Sequence, residues 1–234
     1  MSDRMSDRIG GAPDPPVLTL RRLVGDALWT DMLEQSFARR HSVGDTLLRQ
    51  GEPGTHVLAL LSGVAKVTRR ERSGDLTLLA FRGPGELLGE VAVLDDALHS
   101  ASVEAISHCS VAVLGKAEFL RFVTDRDLFP MLVRYALGRL RESDRARGGG
   151  EVVARLAASL VSLADISGHS AIPQGRHLEL SLTRDELAQH LGVSRNTITT
   201  SLSELEPFRV RTGRKRIFID DLPALRQATA ELYD

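Results

Sequence analysis

Between residues 19 and 116, apolar residues fall in short runs: Leu47-Leu48, Val57 to Leu61, Val64 to Thr68, Leu76 to Phe81, Ser102 to Ile106 and Val111 to Leu114. Runs of this length predict β-strands. Between them lie Gly44-Asp45, Gly51-Glu-Pro-Gly54, Ser62-Gly63, Ser73-Gly74-Asp75 and Gly83-Pro-Gly85, where the chain must reverse and glycine adopts positive φ without a Cβ clash. Many short strands at regular spacing predict a barrel, sandwich or roll.

The period changes at Asp127, which is expected to cap a helix with Pro130 in its first turn. Met131, Leu132, Tyr135, Leu137 and Leu140 give that helix more apolar width than one neighbour needs. It should end near Arg147, because Gly148, Gly149 and Gly150 carry the largest backbone entropy cost in a helix. A second helical period follows at Val153, Leu156, Leu160, Leu163 and Ala164, with Gly168 as its C-cap and a loop to about His177. Residues 1–16 repeat Met-Ser-Asp-Arg and end in prolines, too polar a composition to offset ordering entropy. The expected organisation is a disordered tail over 1–17, a strand-rich domain over 18–126, a long helix over 127–147, a hinge over 148–150 and a second domain over 151–234.

The segment from Ser181 to Glu206 carries the most information. Thr183-Arg-Asp-Glu186 has the form of a capping box, so a helix should start there with Leu187, Ala188 and Leu191 inward. Gly192 can end it in the left-handed conformation, and Ser194 can cap another helix two residues later. In that second helix Ile198, Leu202 and Leu205 share one stripe, which leaves Arg195, Asn196, Thr199, Thr200 and Ser203 outward. Arg can grip guanine bidentately, Asn can do so with adenine, and Thr reaches phosphate or a thymine methyl, so this face suits a major groove. Pro207 should push Glu206 out of helical conformation, and residues 209–219 read as a hairpin turning at Thr212-Gly213. The candidate DNA-binding residues are Thr183, Ser194, Arg195, Asn196, Thr197, Thr199, Thr200, Ser203, Arg211, Arg214, Lys215 and Arg216.

Charge sharpens the picture. The chain has 30 Lys+Arg against 31 Asp+Glu among 234 residues, so bulk basicity argues for nothing. From 195 to 216, however, six basic and two acidic side chains give a local balance of +4, as a phosphate backbone requires. A single Cys109 excludes an intramolecular disulfide and a cysteine-bound iron–sulfur cluster, and a reducing cytosol fits best. There is no apolar signal region and no run long enough to cross a membrane, so a cytoplasmic location is expected. Residues 83–89 miss the spacing of a dinucleotide loop, no phosphate-binding Gly-Lys-Ser/Thr motif occurs, and no His pair has zinc-protease spacing. A triad of His99, Ser100 and Asp95 or Asp96 can be drawn only on paper, and no enzyme is expected.

The ordered set Gln50-Gly-Glu-Pro-Gly54, Leu60-Leu-Ser-Gly63, Gly85-Glu-Leu-Leu-Gly-Glu90, His99-Ser-Ala101, Val152-Val-Ala-Arg-Leu-Ala157, Leu182-Thr-Arg-Asp-Glu-Leu-Ala188, Leu191-Gly-Val-Ser-Arg195 and Arg211-Thr-Gly-Arg214 resembles CRP/FNR-type bacterial transcription regulators from about residue 18 to 226. The resemblance implies an α+β fold: a β-roll sensor of the double-stranded β-helix or jelly-roll kind, a long dimerisation helix and a winged helix-turn-helix. It also implies a homodimer on a palindromic double-stranded site, with RNA polymerase as a further partner.

By the same resemblance, effector contacts fall on Leu88, Gly89, Glu90, His99, Ser100, Ala101 and Ser143. In cyclic-nucleotide-binding members a Gly-Glu pair holds the ribose hydroxyl and an Arg-Ser/Thr pair grips the cyclic phosphate. Gly89-Glu90 and Ser100 match, but His99 stands where the arginine should be, which argues against cyclic AMP. Arg82, Arg141 and Arg145 are the candidates to compensate, another small effector or none is the remaining choice, and His108-Cys109 is a nominal haem ligand pair. Arg195 matches the family's base-reading arginine, whereas Asn196 and Thr200 replace a common Glu and Arg, so the operator should differ. The glycine that usually precedes the wing is missing around Pro207-Phe208-Arg209. The competing reading is a cyclic-nucleotide-responsive regulatory subunit that acts on a partner protein.

Overall fold

The computed structural model describes residues 19–146, 150–166 and 177–232. The expected tail, Gly148, Gly149 and Gly168 lie outside these, as does the side chain of Ser143. In chain order the first part contains α1 (Leu20–Glu34), β1 (Phe37–His41), β2 (Thr46–Leu48), β3 (His56–Ser62), β4 (Ala65–Arg70), β5 (Leu76–Arg82), β6 (Leu87–Leu88), α2 (Glu90–Leu94), β7 (Ser102–Ala105), β8 (Cys109–Gly115), α3 (Lys116–Asp125) and α4 (Phe129–Ala146). The second contains α5 (Val152–Ile166), β9 (Leu178–Leu180), α6 (Arg184–Leu191), α7 (Arg195–Glu204), a 3-10 turn (Glu206–Phe208), β10 (Val210–Gly213), β11 (Arg216–Ile219) and α8 (Leu222–Leu232).

Each of the six apolar runs coincides with a strand, and the strands form two antiparallel sheets, β1-β8-β3-β6 and β2-β7-β4-β5. Alternation along them turns Leu48, Leu58, Leu60, Val103, Val111 and Val113 into a shared interior, the β-roll of an α+β protein. A second cluster joins Leu20, Trp29 and Met32 of α1 to Phe119 and Phe122 of α3 and to Leu132 and Tyr135 of α4. The run-and-turn pattern did not reveal α1, because Gly25 at φ 83° breaks the helical geometry and few of its side chains face inward.

Asp127 does not cap α4. It sits at φ 49°, the Leu128 amide donates to Val123 O at 2.9 Å, and the helix opens at Phe129 with Pro130 next. The wide apolar surface of α4 divides into two faces. Leu132 and Tyr135 are buried against the roll, whereas Phe129, Val133, Leu137 and Leu140 stay exposed at spacings of four, four and three residues, one face of the helix.

In the second part, Leu156, Leu160 and Leu163 of α5 pack with Leu187, Leu191, Ile198, Leu202, Leu225 and the strand residues Leu180 and Ile217. The three strands run in the order β10-β11-β9. The hydrophobic core does not stop at the domain boundary, for Val64, Leu78, Phe81 and Ile106 of the roll belong to the same buried cluster. Two local expectations need correcting. Glu206 and Pro207 continue from α7 into the 3-10 turn, where proline at an early position loses no needed donor. The hairpin turns at Arg214-Lys215, since Gly213 is still paired with Arg216 and Lys215 takes φ 58°.

Candidate nucleic-acid interface

The helix-turn-helix is built from local rules. Thr183 Oγ1 accepts the Glu186 amide at 3.1 Å, and Glu186 Oε2 accepts the Thr183 amide at 2.7 Å, so the capping box is reciprocal. Gly192 ends α6 at φ 67°, and Ser194 caps α7 by accepting the Thr197 amide at 3.1 Å. The Arg155 guanidinium donates to the Leu191 carbonyl and so ties α5 to the turn. Ile198 and Leu202 are buried, and Arg195, Asn196, Thr199, Thr200 and Ser203 are all exposed on the opposite side.

These side chains have different freedom to reach a ligand. Thr199 and Thr200 donate to the Arg195 and Asn196 carbonyls at 3.0 and 3.3 Å, and Ser203 donates to Thr199 O, which orients their oxygens along the helix. Thr197 is half-buried against Ser194, and Thr183 is occupied in its cap. Arg195 approaches Asp185 at 3.5 Å with both side chains more than half exposed, an ion pair of about 0 to 1 kcal/mol that a duplex can displace.

The wing is held by its own cations. Arg211 lies bidentate on Asp220 at 2.5 and 2.8 Å and over the Phe218 ring at 5.2 Å, and Arg216 pairs with Glu179 at 2.7 Å. The Arg211 guanidinium holds the Asp220 carboxyl below its ordinary range, although burial opposes it. Arg214 and Lys215, at the hairpin tip, are exposed and carry no ion pair among the described residues. Two roles escaped the sequence reading. Arg184 donates to Thr212 Oγ1 at 2.9 Å and links α6 to the wing. Arg209 takes φ 63° and ψ 30°, the left-handed conformation otherwise supplied by the missing glycine, at a cost of roughly 1 to 2 kcal/mol. Its carbonyl accepts the Asp220 amide at 3.0 Å, which helps fix that turn.

The roll residues expected to contact an effector lie around β6, α2 and the start of β7. Gly89 is left-handed at φ 84° before α2, and Leu88, Glu90 and His99 are buried, while Ser100 is exposed and Ala101 half-buried. Arg139, which sequence reading also missed, donates to Glu90 Oε1 at 2.6 Å, to Leu87 O at 2.5 Å and to the Tyr135 hydroxyl. Its signal was present: Arg139 follows Leu132 and Tyr135 on the inward face of α4, where a cation must meet a carboxylate. Of the proposed compensators, Arg82 lies 3.6 Å from buried Glu86, Arg141 is exposed, and the Arg145 side chain is outside the described residues. Burial lowers the His99 pKa against the raising effect of Glu52 and Glu90, so the neutral ring dominates at pH 7. A neutral imidazole offers one donor where a cyclic phosphate needs a fixed cation, so the residues present do not fit that group well.

The Cys109 thiol is buried, donates to the Val64 and Ser107 carbonyls at 3.4 Å, and is pushed up to about 11 by burial, the profile of a structural cysteine. Among the described residues no three His, Cys, Asp or Glu side chains gather as a metal site, and no helix is long and apolar enough to cross a membrane.

Comparison with known proteins agrees with this geometry. Residues 38–126 match the cyclic nucleotide-binding domain and residues 154–228 the Crp-like helix-turn-helix domain. The chain is 28% identical over 185 residues to a CRP-like cAMP-activated global transcriptional regulator of Mycobacterium tuberculosis, covering 76% of this chain and 81% of that one. It is 26% identical over 166 residues to the cAMP-activated global transcriptional regulator CRP of Pasteurella multocida, covering 69% and 78%. In fold it resembles a putative cyclic nucleotide binding protein from Ruegeria pomeroyi, with a TM-score of 0.67, 21% identity, and coverage of 90% and 93%. It also resembles a CRP-family transcriptional regulator from Thermus thermophilus, with a TM-score of 0.61, 24% identity, and coverage of 82% and 96%.

Proposed function

Because the chain belongs to the CRP/FNR family of transcription regulators, whose DNA-binding helix-turn-helix it carries, we propose that it acts as a homodimer with its two α7 helices in successive major grooves of a palindromic site. The observation that carries this reading is the exposed polar face of α7 beside Arg214 and Lys215, cations without an ion pair among the described residues. In it, Arg195 and Asn196 read base edges, Thr199, Thr200 and Ser203 flank them, and Arg214 and Lys215 neutralise phosphates. Ser194, Thr197 and Thr183 serve chiefly as caps, with Thr183 and Ser194 near enough to the helix starts to meet phosphate. Arg211 and Arg216 are held by Asp220 and Glu179 and shape the wing first. Dimerisation is supported by the exposed stripe Phe129, Val133, Leu137 and Leu140, which one roll leaves uncovered.

The test is selection of bound duplexes from a random pool, with and without a panel of nucleotides. A two-fold symmetric consensus, lost in Arg195→Ala, is the expected result. No preferred sequence would end the reading and favour the regulatory-subunit alternative, in which Arg195 and the wing go unused. An effector bound in the roll would be a molecule other than cyclic AMP, as neutral His99 and the engaged Glu90 suggest. Gly148 to Gly150 remain the proposed hinge between roll and reading head, with Gly150 at φ 109°, and the dimer's working partner would be RNA polymerase.

A further inference from the structure

We propose that Lys66, in the sensor roll, is a positioning residue for DNA reading: it grips Glu186 at the first turn of α6 and thereby sets the reading head's orientation on the roll. The proposal rests on the DNA-binding reading above, but its first observation is independent of DNA. Lys66 is buried to 8% exposure between two carboxylates from different domains, Glu186 Oε1 at 2.5 Å and Glu104 Oε1 at 3.2 Å. A buried ammonium is costly unless paired, so the two domains are held together wherever this lysine stays dry. Burial acts to lower the Lys66 pKa, but the hydrogen bond and charge of Glu186, with those of Glu104, raise it on balance.

Three further contacts lie along the same seam. Leu78 of β5 donates its amide to Gln189 Oε1 at 2.9 Å, one turn along α6 from Glu186. Phe81 meets the His190 ring edge-on at 4.9 Å between centroids. At Gly83 the approach is so close that an added Cβ would fall 1.7 Å from Ile166 Cγ2 of α5. The apolar part of the seam supplies adhesion without direction, whereas the lysine and the glutamine amide fix the register in which α6 sits.

The relay to the duplex is short. Glu186 uses Oε1 for Lys66 and Oε2 for the Thr183 amide and hydroxyl, so the group that the roll holds is also the one that starts α6. From α6 the tight turn at Gly192 leads directly to Arg195. In a dimer, a fixed orientation of each head on its roll fixes the distance between the two α7 helices, and hence the half-site spacing accepted.

The test uses the full chain with Lys66→Met, which removes the charge but keeps the stem, and Glu186→Gln, which keeps a capping residue at that position. Two readouts are needed. By amide hydrogen exchange, both variants should lose at least fivefold protection at Leu78 and along residues 184–191, with β8 unchanged. By competition binding, the wild-type chain should prefer its selected duplex over the same half-sites moved apart by one or two base pairs, and both variants should lose most of that preference, by roughly three- to tenfold. The double variant should be no worse than either single one. Unchanged exchange in the variants would overturn the latch whatever the chain binds. Lost protection with intact spacing preference would overturn the positioning role. If the wild type selected no duplex, the DNA-binding reading would fall together with the positioning role, and exchange alone would decide the latch. If Lys66→Met failed to fold, Glu186→Gln would decide between these outcomes.

Discussion

The His99 imidazole lies close against Gly89: a Cβ there would lie 3.1 Å from His99 Cε1 and 3.0 Å from Leu48 Cδ1. The residue that the family resemblance puts at the phosphate-gripping position is thus folded against the glycine that precedes α2, without a fixed charge. An arginine at 99 restores a permanent forked cation, and hydrogen bonds to charged groups contribute about 1.5 to 3 kcal/mol, or roughly 10- to 100-fold in affinity. His99→Arg should therefore tighten cyclic AMP binding at least tenfold by calorimetric titration. No gain would show that something other than the missing cation closes the pocket.

Three imidazoles make stability fall in mild acid. Burial first, then the charge of Arg39 for His41 and those of His99 and Arg39 for His56, lowers the pKa of His41 and His56 below 6.5, and burial alone lowers that of His99 against Glu52 and Glu90. Below that value the unfolded chain takes up protons that the folded chain refuses, so stability present above about pH 6.5 is lost as pH falls through the depressed folded values. The melting temperature should drop between pH 7.5 and 5.5, and His99→Gln should flatten the decline. A slope identical to that of the wild type would remove His99 from this account.

Asp220 restrains the wing. With the carboxylate gone in Asp220→Asn, Arg211 is released from its bidentate pair and becomes available to a phosphate. Non-specific duplex affinity should rise at low salt, and the dependence of log affinity on log salt should steepen by about 0.9 per added phosphate contact. An unaltered salt slope would mean that Arg211 never reaches the backbone.

The uncovered stripe on α4 makes a separate prediction. Leu137 and Leu140 are 47% and 63% exposed, so replacing both by aspartate should cost the single chain little while placing four carboxylates in any interface formed by two copies. Sedimentation should show a monomer with unchanged circular dichroism. A persisting dimer would place the interface elsewhere.

Much of this was legible in the sequence because it is governed by local chemistry. Strand runs, the Thr183–Glu186 box, the Gly192 turn and the Ser194 cap each depend on residues within a few positions of one another, and the structure realises all of them. What failed depended on distance or exceptional backbone. Asp127 has the chemistry of a cap, yet it sits at φ 49° and the buried Leu128 separates it from the helix. The wing lacks its glycine, and Arg209 adopts the left-handed turn regardless. No partner for Arg139 or Lys66 was legible in the sequence, because Glu90 and Glu186 lie 49 and 120 residues away. The arginine that engages Glu90 came from α4 rather than from the three positions weighed as substitutes.

The apolar cluster that runs from Leu78 and Phe81 into α5 and α6 also bears on how the molecule melts. Neither part can open without wetting side chains of the other, so calorimetry should record one cooperative transition for the chain rather than two. A shortened protein beginning at residue 151 would expose the oily flank that the sensor normally shields, and its tendency to clump would reflect that amputation rather than any property of the intact regulator.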